Sequence, residues 1–481
     1  MTEFAVPAEP PLPRRFAIPL AALVLGLVFL AAVPLVDMNR LRLALAAAAT
    51  LLLTIPLLAA AAAIAPGFVT PRLLVLAHLM QAFWLLLVAA LGVPTALSNN
   101  PAAPDIATVA VAATLPILLV PIGTILAVLL MRLCTAEPIE RGVLDFGKSP
   151  ALPPFLLVSA AAMLLFWPAL EPGTGAAGYT IRWLFYSLSF APFLAGCAWR
   201  EHPRVRWIWI AALSVNAGIA ALSGSRAHGF LPWALYVLGV MTSIPPASRV
   251  RALLLCTLAA VPLFVLSGAI GRGRGEIGRT GVSGLNTARA GAMARSITET
   301  LRDRTPGVSD DIGFHGLGRM VAWPNLAVTA MTPSPVPYRG FDSLPGEIAM
   351  SAQIAYLSGT SQDDFYRAGL SGGPAAAYGF RVDSGTSVEF GVLADGWSRS
   401  GPAAALLFSM ALAIGLMAAE AVARRLSSFA GLAVLSACAR TSLYSPVYPL
   451  LHLMRFLALC LASYALLALV LRLVGPRREG A

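Results

Sequence analysis

The sequence predicts an all-α polytopic membrane protein with about twelve transmembrane helices and one large polar region between helices nine and ten. Hydrophobic residues make up 58% of the 481 residues and charged residues only 12%, whereas soluble domains have about 25% charged residues. The mean hydropathy of the chain is +0.77. Apolar runs of the length needed to cross a bilayer, about 20 residues, recur along most of the chain. A soluble fold is therefore excluded.

Nine apolar runs precede the polar region and three follow it. The first run is long enough to span a membrane and no small-residue cleavage site follows it, so we expect a first helix and no cleaved signal peptide. Pro446 and Pro449 interrupt the apolar pattern between the last two runs. The predicted spans are 15–36, 43–65, 72–98, 106–132, 151–170, 181–199, 206–222, 229–247, 251–270, 402–423, 428–446 and 448–474.

Arginines in the short connections predict the orientation, because cationic loops are retained in the cytoplasm. They cluster at the N-terminus, in alternate connections and in the C-terminal tail, with Arg40 and Arg42 as the clear exception. Both termini are therefore expected in the cytoplasm. The chain divides into residues 1–270 with helices one to nine, a polar region at 271–401 on the outer side, and residues 402–481 with helices ten to twelve and a tail.

The polar region begins with the basic stretch "GRGRGEIGRTG". Seven arginines and three acidic residues lie between Gly271 and Arg304. Guanidinium groups match phosphate oxygens in bidentate geometry, and glycines let the backbone approach an anion. We therefore predict that Arg272, Arg274 and Arg279 bind a diphosphate. The alternative is a solvated basic stretch attracted to anionic lipid headgroups.

A further arginine, Arg226, lies in "GSRAHGF" between two predicted spans, on the same side as the polar region. An arginine at the edge of a span is costly unless it pairs or lines a polar cavity, which makes it a candidate for the same site. The alternative is a side chain that snorkels to the interface. His228, a lone interfacial histidine, is interpreted as structural.

Three later stretches combine charge with glycine and aromatic residues: "GFHGLGRM", "PYRGFDSLPGE" and "SVEFGVLADGWSRSG". His315 or Glu389 can serve as a general base toward a hydroxyl, and each can equally be a hydrogen-bonded loop residue. Arg319 and Arg339 are candidate substrate-binding residues. The sequence has no Asp-x-Asp in this region, no His-Glu-x-x-His and no clustered His and Cys, so no metal site and no cofactor are predicted.

The pattern resembles the Wzy-type O-antigen polymerases and the related O-antigen ligases. The likeness is carried by "SGSRAHGFLPWALYVLGV" at 223–240, by the arginine-rich start of the polar region, and by "SVEFGVLADGWSRSGPAAALL" at 387–407. It covers about half the chain. In "PYRGFDSLPGEIAM" the Pro-Arg common in the family is Pro345-Gly346 here, so Arg339 or Arg367 would have to replace that arginine.

The resemblance implies a bacterial inner-membrane enzyme that polymerises undecaprenyl-diphosphate-linked oligosaccharide repeat units at the periplasmic face by metal-independent glycosyl transfer. In that reading Arg226, Arg272, Arg274 and Arg279 hold the diphosphate, and Glu389 or His315 acts on the acceptor hydroxyl. The expected partners are the lipid-linked oligosaccharide, membrane lipid, a flippase and a chain-length regulator, with no nucleic acid. Ligase-type transfer to a lipid A core requires the same binding of the diphosphate. The sequence therefore leaves the polymerase and the ligase activity both open.

Three other functions also fit parts of the sequence. A twelve-helix secondary transporter agrees with the helix number, but transporters usually show paired halves, and here the polar region divides the helices nine to three. A sugar transferase with its catalytic acid in the first outer loop would depend on Asp37, the only acid there. A structural member of a polysaccharide export assembly is the third.

Overall fold

The fold is seen in a computed structural model of the chain. The structure describes residues 12–36, 38–64, 68–91, 106–134, 149–169, 191–223, 226–245, 248, 265–273, 277, 287–302, 341–345, 347–348, 391–426 and 428–474. Helices dominate these ranges, and no strand occurs within them.

Most of the helices follow apolar runs of the sequence, and one, Thr287–Arg302, lies in the polar region. In chain order the helices are α1 Leu12–Ala32, α2 Asn39–Ile64, α3 Thr70–Leu91, α4 Ile106–Cys134, α5 Leu152–Ala169, α6 Pro192–Cys197, α7 Pro203–Leu222, α8 Arg226–Ser243, α9 Thr287–Arg302, α10 Val392–Ala423, α11 Ser428–Tyr444 and α12 Leu450–Val474. Residues 265–273 are helical as well, and short 3-10 turns cover Val33–Leu35 and Phe341–Ser343.

Six segments of the described chain are long and apolar enough to cross a membrane: Ala17–Leu35, Leu41–Ala61, Pro116–Leu133, Pro203–Leu222, Val392–Ala423 and Leu450–Val470. Shorter apolar helices cover Leu152–Leu164, Leu231–Ser243 and Phe429–Tyr444. The prediction of a helical, multi-pass membrane protein is therefore confirmed. The number of twelve spans, the layout of the polar region and the side on which each terminus lies stay predictions.

Large apolar side chains cover much of the outer surface of the bundle. On α1, Leu20, Val24 and Val28 are exposed, and on α12 Leu466 and Leu473 are exposed. Soluble monomers rarely expose contiguous apolar surface of this kind. Inside the bundle, α4 packs against α2 and α10, and α11 packs against α3, α10 and α12. The exposed faces of α1 and α12 are therefore the expected lipid-facing surfaces.

Two glycines bring α6 and α8 into direct backbone contact. A Cβ atom added at Gly196 would overlap the carbonyl oxygen of Tyr236, and one added at Gly239 would overlap the carbonyl oxygen of Phe193. Small residues at such crossings let membrane helices approach closely and gain dispersion contacts. The short helix α6 is thereby held against α8.

Gly239→Ala is expected to destabilise the protein by about 1–3 kcal/mol, because the added methyl group has no room and forces α6 and α8 apart. Gly218→Ala on α7 is the matched control, since a Cβ at that position meets no atom within 4 Å. The control is expected to be neutral or slightly stabilising. Thermal unfolding in detergent compares the two, and equal midpoints would contradict the close approach.

A buried carboxylate joins two helices at one end of the bundle. Glu420, near the end of α10, is 0% exposed. It accepts hydrogen bonds from the backbone N–H of Val69 (3.1 Å), from the N–H and hydroxyl of Thr70 (3.0 and 2.8 Å) and from Arg424 Nη2 (2.7 Å). These N–H groups open α3 and have no partner within that helix. Glu420 therefore joins α10 to the start of α3, and we call this end of the bundle the Glu420 end.

Candidate functional site

Only part of the predicted site falls on described residues. Arg226 is the first residue of α8, but its side chain is outside the described part. Arg272 is described and half-buried in the helical segment 265–273. The remaining candidates lie outside the described residues: Arg274, Arg279, His315, Arg319, Arg339 and Glu389. Asp37, the acid of the alternative sugar transferase, also lies outside them. The roles given to these residues stay predictions.

Arg272 lies at the end of the helical segment 265–273, where this segment meets α9. A small apolar cluster of Ala269, Ile270, Met293 and Ile297 joins the segment 265–273 to α9. A Cβ atom added at Gly273 would lie 2.8 Å from Ser296 Oγ, so the backbone next to Arg272 lies close against α9. Residues 271–273, which begin the basic stretch, are therefore packed against α9.

The same apolar cluster extends to the end of α7. Ala221, in the last turn of α7, packs against it. The chain passes from α7 to α8, whose first residue is Arg226. The contact at Ala221 therefore brings the segment that contains Arg272 to the end of α7 that leads into Arg226.

Helix α9 is amphipathic. Met293, Ser296 and Ile297 are buried, whereas Arg295 and Arg302 are exposed. A helix with one apolar and one charged face lies at a surface with its apolar face covered. In this part of the polar region some arginines therefore face outward while Arg272 is half-buried.

Two of the three later charged stretches meet at Arg399. Its Nη2 donates to Glu347 Oε2 at 2.7 Å, and its Nε donates to Asp395 Oδ1 at 3.2 Å. The side chains of Arg399, Glu347 and Asp395 are 1%, 5% and 6% exposed. The backbone N–H of Leu450, at the start of α12, donates to Asp395 Oδ2 at 3.2 Å. We call Glu347, Arg399 and Asp395 the Arg399 cluster, and this end of the bundle the Arg399 end.

A break in α10 follows Arg399 directly. Ser400 and Gly401 have non-helical backbone angles, with a φ of 69° at Gly401, a left-handed conformation that favours glycine. The short helix before the break folds back on the longer helix after it, since a Cβ atom at Gly396 would lie 2.6 Å from the Cα atom of Ala405. The N–H of Val392 donates to the carbonyl of Ser445 at 3.0 Å. The short helix is therefore held between the longer part of α10 and the turn that joins α11 to α12.

A second buried arginine lies near the same end. Arg440, in the last turns of α11, is 6% exposed. Its guanidinium carbon lies 3.7 Å from the ring centroid of Phe456 and 4.9 Å from that of Tyr444. The ring of His452 lies 4.8 Å from that of Tyr448, between centroids. The end of α11 that leads into this turn therefore has a cation stacked on aromatic rings, and the start of α12 after the turn is hydrogen-bonded to the Arg399 cluster.

The residues of these two clusters are not among the site residues that the sequence predicts. Glu347, Asp395 and Arg399 lie in the same charged stretches as the predicted site residues Arg339 and Glu389. The signal for Arg440 was its charge within an apolar span, which marks a functional candidate in a membrane protein. Among the residues with described positions, no group of three or more His, Cys, Asp or Glu side chains is arranged to hold a metal ion.

Comparison of the chain with known protein families, with curated proteins and with solved structures finds no match.

Proposed function

We propose that this protein is a glycosyltransferase of the bacterial inner membrane that polymerises undecaprenyl-diphosphate-linked oligosaccharide repeat units into a surface polysaccharide. The growing glycan leaves its lipid diphosphate and is joined to a sugar hydroxyl on the next lipid-linked unit. Both termini are proposed to lie in the cytoplasm and the polar region in the periplasm. The proposed partner proteins are a flippase that delivers the repeat units and a regulator of chain length.

The observation that carries the proposal is the placement of charge from the polar region. Arg399 and its two carboxylates are almost fully buried on the helical bundle, and Arg272 is half-buried at the contact with α9. Charged groups inside a membrane protein are costly and usually serve a substrate or ion. This placement favours a built, partly dehydrated site over a loose basic loop attracted to lipid headgroups.

The chemistry of glycosyl transfer suits fixed arginines. When the bond between the anomeric carbon and the diphosphate breaks, negative charge develops on the phosphate oxygens. Guanidinium groups that are already in place stabilise that charge most strongly where water is excluded. Arg226, Arg272, Arg274 and Arg279 are proposed to bind the diphosphate, with Arg319 and Arg339 on the substrate. This mechanism needs no metal ion or cofactor.

Arg272→Ala is expected to slow glycan transfer about 100-fold, since removing one preorganised donor from a charge-stabilising site costs about that much. In the native bacterium the surface polysaccharide would become short or absent. Arg302→Ala is the matched control, because Arg302 is exposed at the end of α9; its glycan length should equal that of the wild type. Normal glycan length in Arg272→Ala, with normal membrane insertion, would contradict the assignment.

Ligase-type transfer is the second candidate, since it uses the same donor. The acceptor distinguishes the two: a polymerase extends a lipid-linked repeat unit, and a ligase transfers the glycan to a lipid A core. Supplying each acceptor separately to the purified protein decides between them.

A further inference from the structure

We propose that the start of α7 binds the phosphate of an anionic membrane lipid and that Arg206 is the residue that holds it. The ligand class is a phospholipid whose headgroup carries a net negative charge. The site uses none of the residues proposed for glycan transfer, and the inference does not depend on that function.

The start of α7 lies at a boundary of the membrane. The 20-residue segment Pro203–Leu222 is long and apolar enough to cross the bilayer, and about 20 helical residues match the thickness of the hydrocarbon core. The first turn of α7 is therefore expected at the level of the lipid headgroups. Trp199 and Trp207 lie just before this turn and just after it, and tryptophan is enriched at that depth.

Two tryptophan rings stack on the guanidinium group of Arg206. Its central carbon lies 4.6 Å from the ring centroid of Trp199 and 5.1 Å from that of Trp207, within the range of a cation–π interaction. Trp199 in turn packs edge-on against the buried Tyr236 of α8, with ring centroids 6.0 Å apart. Helix α8 therefore supports the guanidinium group through Trp199.

No carboxylate neutralises Arg206 within the described part of the chain. Its Nε is buried and has no hydrogen-bond partner there, and its terminal nitrogens are neither hydrogen-bonded nor enclosed. An arginine that only snorkels keeps its charged end in water, whereas the guanidinium group here is partly covered by protein. The two terminal nitrogens can donate to two oxygens of one phosphate, the geometry that the planar guanidinium favours.

The surroundings of Arg206 favour an anion. Arg200 and Arg204 are exposed close to it in the chain, and Glu201 is the one acid among residues 199–207, so two positive charges are in excess. Helix α7 has no acidic residue in its first turn, and no side chain caps it. The N–H groups that open a helix attract negative charge. A headgroup with a net negative charge is therefore stabilised here more than a zwitterionic one.

The test uses the full-length protein in a neutral detergent, with phosphatidylglycerol as the probe and phosphatidylcholine as the zwitterionic comparison. Native mass spectrometry measures lipid binding, and the midpoint of thermal unfolding reports the stabilisation that a bound ligand gives. The wild-type protein should bind phosphatidylglycerol in preference and unfold at a higher temperature with it. Arg206→Gln should weaken that binding about tenfold or more, because it removes charged hydrogen-bond donors.

Arg132→Gln is the matched control, because Arg132 is an exposed arginine at the end of α4; it should bind phosphatidylglycerol as the wild type does. Arg206→Lys keeps the charge but loses the planar fork, so an intermediate affinity is expected, and it serves if the glutamine variant folds poorly.

Three results would overturn the inference. Arg206→Gln and Arg206→Lys could both bind phosphatidylglycerol as tightly as the wild type. Arg132→Gln could lose as much affinity as Arg206→Gln, which would reduce the site to general surface charge. Inorganic phosphate at millimolar concentration could raise the unfolding midpoint of the wild type as much as phosphatidylglycerol does, which would assign the site to a soluble phosphate. Each of these results leaves the proposed glycan transfer standing.

Discussion

Replacing Arg399 with methionine is expected to destabilise the folded protein by about 3–5 kcal/mol, the usual cost of removing one partner from a buried ion pair. Methionine fills a similar volume, so the loss comes mainly from charge. It leaves Glu347 and Asp395 buried at 5% and 6% exposure without their shared guanidinium. The free energy of unfolding, measured by denaturant titration in mixed micelles, checks this expectation.

Two variants control for the loss of an arginine as such. Arg425→Met removes an exposed arginine just after α10 and should change stability little. Arg399→Lys keeps the charge but loses the planar fork that reaches both carboxylates, so an intermediate loss is expected. An Arg399→Met protein as stable as Arg425→Met would show that the cluster is not formed.

Glu420→Ala is expected to cause a loss of similar size at the opposite end of the bundle, about 3–5 kcal/mol. The substitution leaves the N–H groups of Val69 and Thr70 without their acceptor and Arg424 without its 2.7 Å ion pair. Thermal unfolding in detergent gives the midpoint, and limited proteolysis near the start of α3 reports local opening.

The double variant Glu420→Ala/Arg424→Ala separates the two causes of that loss. If the unpaired cation dominates, the double variant recovers part of the stability. If the lost acceptor for α3 dominates, it does not. A single variant Glu420→Ala with the midpoint of the wild type would contradict the structural role of Glu420.

Hydropathy located much of the fold because the signal for a membrane helix is local. Runs such as 106–132 and 402–423 coincide closely with α4 and with the longer part of α10, since about 20 consecutive apolar residues are needed to cross the bilayer. The break at Gly401 has a weaker local signal, a glycine followed by Pro402. Nothing local shows that the short helix before it folds back against Ala405.

The candidate site was harder to predict because its contacts join distant parts of the chain. Arg272 was selected from its charge and glycine neighbours, which are visible in the sequence. The ion pair between Glu347 and Arg399 connects two stretches through tertiary packing, and no periodicity encodes such a pairing. Arg440 was missed because hydropathy averages one charge into an apolar run. The proposed substrate rests on the family resemblance and on the chemistry of arginine.

The central claim is that this protein itself transfers lipid-linked glycan, and purified protein in nanodiscs tests it most directly. We predict that an undecaprenyl-diphosphate-linked repeat unit, supplied without metal ions, is converted into a ladder of longer glycans. One undecaprenyl diphosphate should be released for each bond formed. A correctly folded protein that yields neither longer glycans nor free undecaprenyl diphosphate, on a repeat unit from its own bacterium, would contradict the account.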